Sequence, residues 1–166
     1  MRPDHRPTET PATSWLTKQG IAFTLHPYAY VDHGGAGWAA EALGLDPHAV
    51  VKTLVMQDER ARPLIILMHG DCEVSTKSLA RAIGAKGVQP CAPEVAQRHS
   101  GYLVGGTSPF ALRKAMPVFV EAGVLRFDRI YINAGRRGLL LGISPSVLTD
   151  SLCAVPVACA IDQRPG

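Results

Sequence analysis

The chain alternates short apolar blocks with glycine, proline and charged punctuation, and each block has the length of one secondary-structure element. Thr10-Pro11 offers a side-chain cap followed by proline at the first helical position; Trp15 and Leu16 supply an apolar side, and Gly20 closes the helix. Phe23, Leu25 and Pro27 alternate with polar residues, the period of a half-buried strand. After a flexible Asp32-His33-Gly34-Gly35 loop, residues 36–43 read as a helix ended by Gly44, and Asp46-Pro47 opens a further helical turn. Residues 50–56 and 63–68 are two β-rich apolar runs joined by a charged turn at 58–62, the pattern of a buried hairpin. Ser75 caps a helix running to Ile83, with Leu79 and Ile83 four apart and Gly84 as its stop. Pro93 starts a short helix that runs to His99. Residues 101–104 read as a strand leading into a glycine loop at 105–109. Further strands are expected at 118–121, 129–133 and 138–143, followed by a helix from Ser144-Pro145 to Leu152 and an edge strand over 155–160.

Helices and strands are interspersed without a regular alternation, and one pair is a hairpin. The expected fold class is therefore α/β of the α+β-like kind: a single domain with a mixed, largely antiparallel sheet and peripheral helices, rather than a doubly wound sheet. Residues 1–9 are dominated by proline and charge and read as a frayed tail. The folded unit is expected to span 10–160, with 161–166 as a second tail.

Composition narrows the function classes. Apolar residues are 46% of 166, enough for a core and too many for a disordered chain. Aromatics are only 6%, so Val, Leu, Ile and Ala must fill that core. The net charge of +3 permits local contact with a polyanion without demanding it. No run approaches the roughly 18 apolar residues of a spanning helix, and the N-terminus has no apolar signal core. The expectation is a soluble cytoplasmic protein with no membrane contact. Cys72, Cys91, Cys153 and Cys159 show no C-x-x-C or finger spacing, which suits buried, reduced thiols.

The chemistry is first defined by absences. There is no G-x-S-x-G elbow, no phosphate loop and no dinucleotide fingerprint. The six histidines are scattered without H-E-x-x-H or H-x-H, so no metal and no cofactor is expected. Lys52 stands inside an apolar strand on the face of Val50 and Leu54. It is either an edge-strand lysine that blocks aggregation or a cation aimed at an anionic or carbonyl-bearing ligand. Thr53 points to the other face and reads as a strand filler. Gly105-Gly106-Thr107-Ser108-Pro109 is either an ordinary turn or a nest of backbone N–H groups facing a ligand. Asn133-Ala134-Gly135-Arg136-Arg137-Gly138 is either a hairpin turn or a phosphate-contacting one. Among the tyrosines, Tyr28, Tyr30, Tyr102 and Tyr131 could stack on a base or fill the core.

In their order along the chain, Thr10-Pro11-Ala12, Ile21-Ala22-Phe23, His26, Tyr28, Leu43-Gly44-Leu45, Val51-Lys52-Thr53-Leu54, Ala82-Ile83-Gly84-Ala85-Lys86, Val95-Ala96-Gln97-Arg98 and Gly101 to Pro109 resemble the YbaK/EbsC-type Cys-tRNA(Pro) deacylases of the prolyl-tRNA editing superfamily. The likeness continues to Ile130-Tyr131 and Gly135-Arg136-Arg137-Gly138 and covers the chain from about 10 to about 144. It implies a barrel-like mixed sheet and a trans-editing deacylase of translation fidelity. Such an enzyme, hydrolase or lyase, cleaves the aminoacyl ester of mischarged tRNA. Cys-tRNA(Pro), or a tRNA carrying a related small amino acid, is the expected substrate, with the alternative of a non-catalytic tRNA- or synthetase-binding module. By the same resemblance Lys52 is the catalytic residue. Tyr28, Thr53, Gly105, Gly106, Thr107, Ser108, Pro109, Asn133 and Gly135 bind substrate, while Arg98, Arg136 and Arg137 contact tRNA. The partners implied are the 3′ acceptor end of aminoacyl-tRNA and prolyl-tRNA synthetase. In the cysteine-specific members the substrate's own thiol attacks the ester, which fits the lack of a protein nucleophile motif. Three positions depart from those members: His33-Gly34-Gly35 replaces a pocket phenylalanine, Leu140 an aspartate and Asn133 a serine.

Overall fold

The computed structural model describes residues 8–162. In chain order the elements are α1 (Pro11–Lys18), β1 (Thr24–Pro27), α2 (Gly35–Leu43), β2 (Val50–Asp58), β3 (Pro63–His69), β4 (Cys72–Val74), α3 (Thr76–Ile83), β5 (Val88–Pro90), α4 (Pro93–Ser100), β6 (Val118–Glu121), a 3-10 turn (Ala122–Arg126), β7 (Ile130–Arg136), β8 (Leu139–Ile143), α5 (Ser146–Leu152), β9 (Val155–Val157) and β10 (Ala160–Asp162).

The apolar hairpin is the middle of the sheet. β2 and β3 pair antiparallel from Val51↔His69 to Gln57↔Pro63. Asp58 closes their turn: its Oδ1 accepts from the N–H groups of Arg60 and Arg62, both at 2.9 Å, and its Oδ2 from Arg62 Nε at 2.7 Å. Around the hairpin the sheet runs β1-β8-β7-β2-β3-β6-β9, with β5 also on β2. The β2–β7, β3–β6 and β6–β9 pairs are parallel and the others antiparallel, so the sheet is mixed as expected. Among the described strands β1 and β9 end the sheet, which does not close into a barrel.

Both faces are covered. Val51, Val55, Ile65, Leu67, Ile132 and Leu141 pack with Leu16 of α1, Leu148 of α5 and Phe110. On the other face Met56, Leu64, Ile66 and Met68 pack with Leu79 of α3. Beside them Val50 and Leu140 meet Ala39 and Ala40 of α2. Lys52 falls on this second face, between the patch under α2 and the patch under α3. The β2 strand is interior, so the edge-strand reading of Lys52 does not hold.

Several expectations need correction. Residues 101–104 form no strand: Gly101 caps α4 in the left-handed region at φ +84°, and Leu103 and Val104 are both exposed side by side, which breaks a strand's alternation. Asp46-Pro47 begins a turn, not a helix. The expected edge strand over 155–160 is two strands. β9 stays on the main sheet while β10 leaves it to pair with β4, and the Glu121 carboxylate accepts from the N–H groups of Cys159 and Ala160 where the chain crosses over. β10 runs through Asp162, past residue 160. The three-residue strands β4 and β5 are too short to leave a period in the sequence. Ser144 bonds the Ser146 hydroxyl, and Pro145 occupies the α5 cap without a side-chain bond. Cys72 and Cys159 are buried, Cys91 is half-buried, and Cys153 is exposed at the α5 C-cap. Of the tails, residues 1–7 and 163–166 lie outside the described residues.

Helix α1 is tied to the sheet by its cap. Thr10 Oγ1 accepts from Thr13 N, Thr13 Oγ1 accepts from Thr10 N, and the Thr10 hydroxyl donates to the Ala134 carbonyl of β7. Thr10→Ala is expected to lower stability by about 1–2 kcal/mol, read as a lower denaturant midpoint at unchanged slope. An unchanged midpoint would mean that Ala12 and Leu16 alone dock this helix.

Candidate active site

The β2 strand is paired unevenly. Its start, Val50 and Val51, pairs with β7, and its end, Met56 to Asp58, pairs with β5. Between them, residues 52–54 are paired with β3 only, and the Val55 carbonyl accepts from Cys91 N. The opening leads into a cavity of about 500 Å³ whose walls include every residue from Val50 to Met56. A break in pairing lets both faces of one strand reach the same space, so Lys52 and Thr53, which point to opposite faces, both line it.

Lys52 is half-buried, and its Nζ donates to the Cys72 carbonyl at 2.5 Å. Burial lowers its pKa from the ordinary lysine value, with Cys72, Glu73 and Asp71 pulling it back up. Among the described residues no carboxylate stands in ion-pair contact with it. Such an ammonium can donate to a ligand oxygen and stabilise charge that develops there.

The carbonyl that holds Lys52 is itself positioned. Just before it, Gly70 N donates to the Val50 carbonyl at 2.6 Å, and a Cβ at Gly70 would lie 2.8 Å from that oxygen. The neighbouring Asp71 Oδ1 lies 2.7 Å from His48 Nδ1. Burial pushes the Asp71 carboxyl up, but the His48 hydrogen bond and charge outweigh it and hold the group below its usual value. The His48 ring stacks on His69 with centroids 3.5 Å apart. His69 Nδ1 lies 2.7 Å from the His48 carbonyl, which can only accept, so Nδ1 carries the proton. Burial lowers the pKa of His69. The ligand-type atoms of His48, Asp71 and Cys72 lie within 4.8 Å of one another, a cluster hidden in the sequence by a separation of more than twenty residues.

Across the opening stands the glycine loop. Asn133 Nδ2 donates to the Gly105 carbonyl at 3.2 Å, and Arg137 Nε donates to the Val104 carbonyl at 3.0 Å. Arg137 also lies over the Tyr30 ring, 5.3 Å from its centroid. Asn133 Oδ1 meanwhile accepts from Gly135 N and Arg136 N, which shapes the bulge of the β7–β8 hairpin. The approach is close: a Cβ on Gly106 would sit 2.8 Å from Arg137 N, and one on Gly105 2.8 Å from Tyr30 Oη.

The structure gathers Tyr28, Lys52, Thr53, Gly105, Thr107, Asn133 and Arg137 on the cavity walls. Burial raises the Tyr28 phenol pKa. Gly106, Ser108 and Pro109 are buried behind the loop instead, with Ser108 Oγ accepting from Phe110 N at 3.3 Å. Gly135 turns toward Tyr102, whose buried hydroxyl donates to the Phe110 carbonyl and is pushed up to about 12. Arg136 Nη1 donates to the Arg137 carbonyl, and Arg98 is exposed on α4 away from the cavity walls. Sequence reasoning missed Trp38 and Cys91, both on the walls. Trp38 is anchored by Nε1 donating to the Ala29 carbonyl at 2.8 Å. Its position one turn into α2, beside the glycine-rich loop, was the available signal. Burial pushes the Cys91 thiol up.

Residues 36–150 match the model of the aminoacyl-tRNA editing domain. This chain belongs to that family. The editing domain is 27% identical over 141 residues to the Enterococcus faecalis protein named "Putative Cys-tRNA(Pro)/Cys-tRNA(Cys) deacylase EbsC", covering 84% of this chain and 86% of that one. A shorter stretch, 87 residues, is 25% identical to the proline–tRNA ligase of Limosilactobacillus reuteri, covering 50% of this chain and 15% of the ligase. Among solved structures, one described as "a putative trans-editing enzyme for prolyl tRNA synthetase" shares the fold at a TM-score of 0.82 and 19% identity, over 93% of this chain and 98% of that one.

Because folding lowers the Lys52 pKa, the unfolded chain holds a proton there that the folded chain releases earlier. Its contribution therefore makes stability rise with pH between the folded and the ordinary value. Lys52→Met is expected to flatten that rise and to be at least as stable as the parent, measured by denaturant midpoints across the window. Asn133→Ala is expected to cost about 1–2 kcal/mol and to speed amide exchange across residues 104–107. Unchanged exchange there would show that Arg137 alone tethers the loop.

Proposed function

We propose that this protein is a trans-editing deacylase that cleaves the ester of mischarged aminoacyl-tRNA, with Cys-tRNA(Pro), or the same tRNA carrying a related small amino acid, as substrate. The observation that carries the reading is the half-buried Lys52 ammonium on the wall of a cavity framed by the glycine loop, in a chain of the editing-domain family. The likeness to the Enterococcus faecalis protein supports cysteine as the amino acid removed. The local likeness to proline–tRNA ligases supports tRNA(Pro) as the carrier and prolyl-tRNA synthetase as the protein beside which it acts.

In this reading the 3′-terminal aminoacyl adenosine enters the cavity and the rest of the tRNA stays outside. Lys52 donates to oxygen at the ester and stabilises the negative charge that develops there. Tyr28 and the edges of Gly105 and Thr107 hold the aminoacyl group, and orientation supplies much of the rate. With cysteine, the substrate thiol attacks the ester carbon. The S–C bond forms, the C–O bond to the ribose breaks, the thiol proton passes to the leaving ribose oxygen, and a thiolactone and free tRNA result. With an amino acid that lacks a thiol, water attacks and the products are the free amino acid and tRNA. Arg137 on the cavity wall and the adjacent Arg136 serve the tRNA backbone, while Arg98 would serve only a more distant part of it.

One observation favours a second reading. Leu140, buried and packed with Ala39 and Ala40, brings an apolar side chain to the cavity where the cysteine-type enzymes carry a carboxylate. A site without that carboxylate could bind aminoacyl-tRNA or a synthetase without turnover.

A panel of Cys-, Ala- and Ser-charged tRNA(Pro), incubated with the parent protein and with Lys52→Ala, separates the two. Cleavage of at least one ester above buffer, reduced about 100-fold or more by the substitution, is the expected result. Salt-sensitive binding of the charged tRNA with no cleavage would replace the deacylase with the binding module.

A further inference from the structure

Strand alternation fixes which backbone groups of β2 face the opening. Tyr131 N donates to the Ala49 carbonyl at 3.0 Å and Cys91 N to the Val55 carbonyl at 3.1 Å, so odd-numbered residues turn their N–H and C=O toward β7 and β5. Gly70 N donates to the Val50 carbonyl and Asp58 N to the Arg62 carbonyl, so even-numbered residues turn theirs toward β3. Thr53 is the odd-numbered residue midway along the opening. Leu67 lies across from it on β3 as a non-hydrogen-bonded pair, and no described strand pairs on its other side. Its N–H and C=O therefore both face the cavity. Its Oγ1 is buried and, among the described residues, has no hydrogen-bond partner.

Buried backbone polar groups are nearly always paired, and an interior strand that leaves one position open on a cavity wall is a recognition edge. The opening is short. Val51, paired with β7, and Val55, whose carbonyl accepts from Cys91 N, bracket it about 13 Å apart at about 3.3 Å per residue, which is room for one residue of extended chain. Resting on the deacylase reading for the identity of the ligand, we propose that Thr53 completes its ladder with the aminoacyl group. The Thr53 carbonyl accepts from the α-ammonium and the Thr53 N–H donates to the ester carbonyl oxygen, the two-bond exchange of an antiparallel pair. The ammonium makes the first bond a charge-assisted one. The site thus takes a single α-aminoacyl ester with a free amino group. It rejects N-acylated and peptidyl esters, whose next residue would run into ladder positions already filled at Val51 or Val55.

Amide exchange on the full chain tests the edge directly, with 3′-deoxy-3′-(L-alanylamino)adenosine as a non-hydrolysable probe. In the free protein the Thr53 amide is expected to exchange much faster than that of Leu54, which faces β3, and saturating probe should slow it about tenfold or more. N-acetyl-Cys-tRNA(Pro), with thiol and ester intact, should be cleaved about tenfold or more slower than Cys-tRNA(Pro). Three results overturn the inference and leave the deacylase standing: a Thr53 amide already protected in the free protein, probe binding that shifts cavity resonances without slowing Thr53, or equal cleavage of the two esters. If the probe does not bind and no unblocked charged tRNA is cleaved, the deacylase reading fails and the inference fails with it.

Discussion

The structure depends on the interrupted pairing of β2. Its apolar residues make it the natural centre of the sheet, and its antiparallel register with β3 is unbroken from Val51 to Gln57. On the other edge two partners share it, β7 at the start and β5 at the end. The space they leave is a cavity lined by a strand that hydrophobic packing holds rigid. A packed wall holds Lys52 and Thr53 in fixed positions along the opening. It also explains how a lysine survives in so apolar a run. Lys52 sits at the seam between the surfaces covered by α2 and α3, where its ammonium reaches a carbonyl on one side and open space on the other.

The supporting parts converge on that lysine from distant stretches of chain. His48 precedes β2 and Asp71 follows β3, and their contact braces the turn that presents the Cys72 carbonyl. Asn133 and Arg137, from the β7–β8 hairpin, hold the glycine loop across the opening. The Lys52, Asn133 and Arg137 side chains each end on a backbone carbonyl, while His48 and Asp71 meet side chain to side chain. The cost is a desolvated cation, partly offset by the nearby carboxylates of Asp71 and Glu73.

Much of this was legible in the sequence, for identifiable reasons. The hairpin announces itself through two apolar runs and a charged turn, and Lys52 through its misfit among Val50, Val51 and Leu54. The helices α1 and α3 carry their caps in plain view at Thr10 and Ser75. The glycine loop was legible as a loop, but its inner side was not: Ser108 and Pro109 face the core because Phe110 behind them is fully buried. Strands of three residues, such as β4 and β5, have no period to read, and they supply both the carbonyl that holds Lys52 and one rim of the opening. Gly135 carries the right motif position but spends its missing side chain on Tyr102. Motif order thus carried the family, while contact partners decided which motif residues meet at one place.

The split edge also sets a schedule. The hairpin that bears Lys52 is complete by His69, whereas the strand that frames the far rim ends at Arg136. Parallel pairing of β2 with β7 spans some eighty residues of chain and is a slow, non-local contact. A chain that stops before β7 therefore carries the lysine without the rim that β7 supplies. The lysine and the chamber that surrounds it are thus joined by one of the least local contacts in the fold.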